Sequence, residues 1–110
     1  MITVKPAKFK DGLELALNLR QDDKEEVEGM GHTAFGIPFA LLYSEHATSF
    51  YDYEGNLAGC AGVVRLDDNQ GSIWMLCTNN VSNMKIGFFR QAKRWMERVE
   101  KEYKLLFNVA

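Results

Sequence analysis

The chain has 110 residues, 46% of them hydrophobic and 25% charged, which suits one compact domain spanning 1–110. Its formal net charge of −2 gives no electrostatic basis for binding nucleic acid or an anionic membrane surface. No apolar run approaches the roughly 20 residues that cross a bilayer, and Met1-Ile2-Thr3-Val4-Lys5 opens no secretory signal, so a cytosolic setting is expected.

The short β-branched run Ile2-Thr3-Val4 predicts a first strand, ended by Lys5-Pro6. Asp11-Gly12 opens a helix. Leu13, Ala16 and Leu17 share one of its faces, and Leu15 and Leu19 an adjacent one, which predicts burial over more than half its circumference. Arg20 and the acidic run Asp22-Asp23-Lys24-Glu25-Glu26-Val27-Glu28 either extend it or start a second helical turn. Gly29-Met30-Gly31 breaks it. Residues 33–47 read as a further helix with Pro38 in its first turn.

Ser49-Phe50-Tyr51-Asp52-Tyr53 alternates like a strand and meets a turn at Glu54-Gly55-Asn56. The small residues of 57–64 predict a strand that something packs against closely. After the turn at 67–71, Ile73-Trp74-Met75-Leu76-Cys77 is continuously apolar, as a central strand covered on both faces would be. The loop 78–83 offers Ser82 or Asn83 as a helix cap. Phe88, Phe89, Ala92, Trp95, Met96, Val99 and Tyr103 then repeat at helical spacing, with Arg90, Lys93, Arg94, Glu97 and Arg98 toward water. Leu105-Leu106-Phe107-Asn108-Val109 is a last strand. The expected class is α/β (α+β) with the order β-α-α-β-β-β-α-β, and the long helix crosses right-handedly to a parallel final strand.

Cys60 and Cys77 lie in expected strands, nearly opposite each other if residues 60–66 and 72–78 form a hairpin. Without CxxC or His-rich spacing they read as buried thiols, and no metal site is expected. His32 and His46 read as surface or cap histidines. Ser44-Glu45-His46 is adjacent in sequence, which does not make a triad.

This order resembles the GNAT superfamily of acyl-CoA-dependent N-acyltransferases. The segments 19–27, Gly59-Cys60-Ala61-Gly62-Val63, Trp74-Met75-Leu76-Cys77-Thr78 and Phe88-Phe89-Arg90-Gln91-Ala92-Lys93-Arg94-Trp95 resemble, more narrowly, a phage-encoded GNAT-like family that includes internal virion or core-assembly proteins. The resemblance implies acetyl-CoA as cofactor. Its pantetheine arm would lie on the backbone of Met75, Leu76 and Cys77, and its pyrophosphate on Asn80, Ser82, Asn83 and Lys85. Asn108 would either bond that arm or tie down a strand end. The bases near the acceptor side would be Glu25, Glu26, Glu45 and His46, although charge runs such as 25–26 are ordinarily solvated helix faces.

Two departures from the family stand out. The glycine-rich Gln/Arg-x-x-Gly-x-Gly/Ala turn is absent, since residues 79–86 contain no glycine. The fold usually continues with a helix and two strands beyond the last strand expected here, and without them that strand would be an edge open to pairing. The expected function is therefore a phage or prophage GNAT-like protein with a degenerate acyl-CoA site. It would be located in the host cytosol or the virion and partnered by other phage proteins or by itself. An active N-acetyltransferase and a plain dimerisation module are the alternatives.

Overall fold

The computed structural model describes residues 2–108, and their side chains except those of Lys85 and 105–108. Five strands form one sheet in chain order: β1 (Thr3–Pro6), β2 (Glu45–Tyr51), β3 (Leu57–Arg65), β4 (Gln70–Cys77) and β5 (Leu105–Asn108). The first four pair antiparallel, and β5 runs parallel to β4. The crossover between them is α4 (Lys85–Val99). Between β1 and β2 lie three helices, α1 (Phe9–Leu17), α2 (Gln21–Gly29) and α3 (Ile37–Tyr43).

The sheet is covered on both faces. Phe88, Trp95 and Val99 of α4 pack on Phe50, Val63 and Ile73. On the other face, Leu15 of α1 with Ile37 and Leu41 of α3 pack on Leu57 and Cys60. The strand residues reach both layers because side chains alternate across the pleat. A bulge shifts that alternation in β3, where Phe50 opposes Gly59 but Tyr51 opposes Leu57. Cys60 consequently faces α1 and α3 while Cys77 faces α4, and both thiols are free and buried.

The structure decides one open alternative and corrects two details. Of the two readings of the acidic run, the second holds: it forms α2 by itself after a break at 18–20. The helix expected over 33–47 is α3 alone, after a 3-10 turn at Ala34–Gly36, because residues from Glu45 onward join the sheet. A second bulge lies there, with His46 and Ala47 of β2 against Gly62 of β3, and His46 adopts φ +57 to make it. Finally, Leu13, Leu17 and Phe89 are exposed rather than buried. The buried side of α1 is Asp11, Gly12 and Leu15.

Two features hold the layers in place. A Cβ on Gly12 would lie 2.6 Å from Pro38 Cα and 2.8 Å from Leu41 Cδ1, so α1 and α3 touch backbone to backbone. At the far end of the sheet, Glu45 accepts from Arg65 Nε and Nη2 at 2.7 and 2.8 Å and from the Tyr103 hydroxyl. The Arg65 guanidinium also lies 4.7 Å from the centre of the Tyr103 ring. The bonds from Arg65, then Tyr103, pull the Glu45 carboxyl down from 4.5 to about 2.

Two outcomes follow for stability. Gly12→Ala gains about 0.5–1 kcal/mol of helix propensity, but overpacking against backbone that cannot yield costs about 1–3 kcal/mol. Urea unfolding should therefore show a net loss. For Glu45 the folded pKa is depressed, so its contribution is present above 4.5 and is lost as pH falls toward 2. The difference in urea midpoint between the wild type and Arg65→Ala should shrink across that window.

Candidate functional site

The site is built around the C-terminal half of β4. The described pairing with β5 ends at Ile73↔Asn108. Beyond that point the α1–α2 connector comes up beside the strand, with Leu19 bridging Thr78. The Arg20 amide donates to the Cys77 carbonyl at 2.8 Å, and the Cys77 amide donates to Asp23 Oδ2 at 2.7 Å. The other Asp23 oxygen takes Arg20 Nη2 at 3.0 Å. Asp23 is buried, whereas the Arg20 side chain is 41% exposed. Arg20 Nε is buried with no partner among the described residues.

Local sequence explains this arrangement. Arg20 is extended at the start of α2, and Asp23 lies in its first turn, where the helix dipole favours a carboxylate. Burial, and after it the Asp23 charge, push the Cys77 thiol up to about 12, so it is no nucleophile. The i, i+3 pairing of Arg20 with Asp23 is visible in sequence. The grip of Asp23 on a strand amide 54 residues away is not.

Next to this junction lies a groove of about 360 Å3 between α2, α3 and β4. Trp74, Met75 and Leu76 form its floor, and Val27, Met30, Ile37 and Ala40 its apolar walls. The titratable residues lining it are Glu26 and His32. The Trp74 indole is fixed by donating to Ser44 Oγ at 2.8 Å. Of the two carboxylates singled out from the acidic run, Glu26 is at the groove, while Glu25 accepts from Gln21 on the exposed face of α2. Glu45 and His46 lie elsewhere, His46 paired with Glu102 at 2.6 Å. The apolar wall from Val27 and Met30 is what the sequence reading missed, because an acidic helix with two apolar side chains looks solvated all round.

After β4 the chain winds into a 3-10 turn, Asn79–Asn83. The Asn80 amide donates to Thr78 Oγ1 at 3.1 Å, the Val81 amide to the Thr78 carbonyl at 3.2 Å, and the Met84 amide to the Val81 carbonyl at 3.1 Å. Asn80 Nδ2 and Thr78 Oγ1 both donate to the Leu57 carbonyl. Ser82 Oγ donates to the Asn79 carbonyl, and Asn83 is exposed. Gly87 serves packing, since a Cβ there would overlap Ile2 Cδ1. The side chains of Lys85 and Asn108 lie outside the described residues. Set against a cofactor, the two ends differ. The groove beside Met75 and Leu76 suits an apolar arm, whereas at the other end the amides of Asn80, Val81 and Met84 already have acceptors of their own.

Solved structures with this architecture settle the fold class. An acetyltransferase of the GNAT family from Streptococcus pneumoniae superposes with a TM-score of 0.54 at 16% identity, over 96% of this chain and 73% of that one. The fold is GNAT-like. A Staphylococcus aureus protein of unknown function superposes at 0.63 with 15% identity, over 100% of this chain and 80% of its own. N-acetylglutamate synthase from Neisseria gonorrhoeae, solved with coenzyme A and N-acetylglutamate, gives 0.65 at 15% identity, over 100% of this chain and 25% of the synthase. No protein-family model and no curated protein matches the GNAT-like chain in sequence. Among its described residues, no helix is long and apolar enough to cross a membrane and no three metal-ligating side chains converge.

Asp23→Ala should be costly because it leaves the buried Cys77 amide without an acceptor, worth roughly 1–3 kcal/mol. Asp23→Asn, which keeps an acceptor oxygen, should lose less. Urea unfolding measures both, and hydrogen exchange at the Cys77 amide should lose its protection only in the alanine variant.

Proposed function

We propose that this chain is a GNAT-like protein of phage type whose acyl-CoA site is degenerate, and that it acts through contacts with other proteins rather than by acetyl transfer. The phage assignment rests on the segmental resemblance at 19–27, 59–63, 74–78 and 88–95. A place in the host cytosol or the virion goes with it.

The observation that carries the degenerate site is the 2.7 Å bond from the Cys77 amide to Asp23. An acyl-CoA on this fold would need the strand amides of β4 for its pantetheine arm. It would also need open amides ahead of α4 for its pyrophosphate. Here the carboxylate already holds one of the first set, and the 3-10 turn holds several of the second. A hydrogen bond to a charged group is worth about 1.5–3 kcal/mol. Displacing it lowers cofactor affinity by about ten- to a hundredfold, before any cost of unwinding the turn. Glycine would ease the close approach of a phosphate, and residues 79–86 lack it.

Calorimetry with acetyl-CoA tests the reading. Saturable binding should be absent below about 1 mM, and melting should shift negligibly at that concentration. No free coenzyme A thiol should appear with a panel of primary amines. Micromolar binding accompanied by turnover would overturn the proposal in favour of an active N-acetyltransferase, with Glu26 as the carboxylate in the groove.

A further inference from the structure

The outer surface of the α1–α3 layer has no role in the site. From Thr33 to Ser44 the chain carries no charged residue. A helix that buries one side of itself normally turns charged or polar residues outward. In α3 the inward residues Ile37 and Leu41 are buried, yet Phe39, Leu42 and Tyr43 are 56–81% exposed, and Phe35 before them is 65% exposed. Alongside, α1 turns out Phe9, Leu13 and Leu17, spaced four residues apart and 40–72% exposed. The Phe9 and Phe39 rings meet edge to face at 5.6 Å, which joins the two rows. The backbone contact at Gly12 keeps them adjacent.

Single exposed apolar side chains are ordinary. A continuous double row is not, and such patches mark a partner's place. Large side chains at these exposures present on the order of 800 Å2 together, about what each protein contributes to a standard interface.

We propose that this face is a homodimer interface, with a second copy of the chain as its occupant. This inference is independent of the state of the acyl-CoA site. A charge-free face meets itself across a two-fold axis without stranding any charge, and the symmetry closes so that no patch is left over. Its rim is also self-complementary. Exposed Lys10 and Glu14 lie one helical turn apart on the same flank of the Phe9, Leu13 and Leu17 row. Two α1 helices packed antiparallel would set each Lys10 against the Glu14 of the other copy. A membrane is a poorer occupant, since a chain of net charge −2 gains nothing from anionic headgroups.

Sedimentation velocity from about 1 to 500 µM reads the outcome. The wild type should show a monomer–dimer equilibrium with a micromolar Kd. Leu17→Lys and Leu42→Lys should each weaken it at least about tenfold without changing the circular dichroism spectrum. Should either fail to fold, Tyr43→Lys, at an 81% exposed position, gives the same reading. Lys10→Glu should weaken the dimer, and adding Glu14→Lys should restore it. A chain monomeric across the range would overturn the proposal, as would a dimer indifferent to these lysines. Failure of the double charge swap to restore association would overturn the two-fold arrangement.

Discussion

The Asp11 carboxylate, buried between α1 and the sheet, accepts from the Lys8 amide at 3.0 Å, the Ser49 hydroxyl at 2.9 Å and the Tyr51 hydroxyl at 2.6 Å. Burying an unpaired carboxylate would cost several kcal/mol. With three donors and the positive end of a helix dipole, the cost is met and the geometry becomes specific. Burial, and then the bond to Asp11, raise the Tyr51 phenol well above its ordinary value, so it stays a donor. The rotation of α1 about its axis is thereby fixed. Gly12 must face Pro38, Leu15 must face the sheet, and Leu13 and Leu17 are left outside. The chain leaving α1 is also aimed at the end of β4.

At that end the same device recurs. Asp11 is the third residue of α1, and Asp23 holds the corresponding place in α2. Each uses a helix start to stabilise its charge and then reaches out of the helix into the sheet. Asp11 ties to side chains of β2, and Asp23 to a backbone amide of β4. The helical layer is therefore stitched to the sheet at two points. The second stitch falls at the C-terminal end of β4, beside the groove. The bond that stabilises α2 on the sheet is also the one on which the proposed loss of cofactor binding rests.

The parts of this fold that show in the sequence are those with local causes. The run Ile73–Cys77 and the spacing Phe88, Trp95, Val99 are periodic signals that tertiary context did not override. Gly55 adopts φ +86 in the turn where it was expected. The errors arise where context decides. Glu45, His46 and Ala47 have no strong preference for a strand. They are drawn into one by the Glu45–Arg65 pair and by a bulge that needs His46 left-handed. A helix with two apolar faces, such as α1, gives no hint of which is buried until the buried Asp11 chooses. In the site, Glu26 could be singled out by residue type, and the strand segment Met75–Cys77 only through the family resemblance. Val27 and Met30 could not, nor could Asp23 as a partner of Cys77, because their roles depend on which strand the α1–α2 connector meets.

The shape of α3 ties these observations together. It has seven residues, too few to hold a helix in water without support. One side rests on the sheet through Ile37 and Leu41, and its start is clamped by Gly12 against Pro38. Ala40 and Ile37 reach the groove, and Phe39 and Leu42 face outward. No side of it is polar, so every side needs a covering. The sheet and α1 supply two. The open groove and the open outer face are the remaining two. Covering the outer face would stiffen the same short helix that walls the groove, and so couple association of the chain to whatever the groove admits.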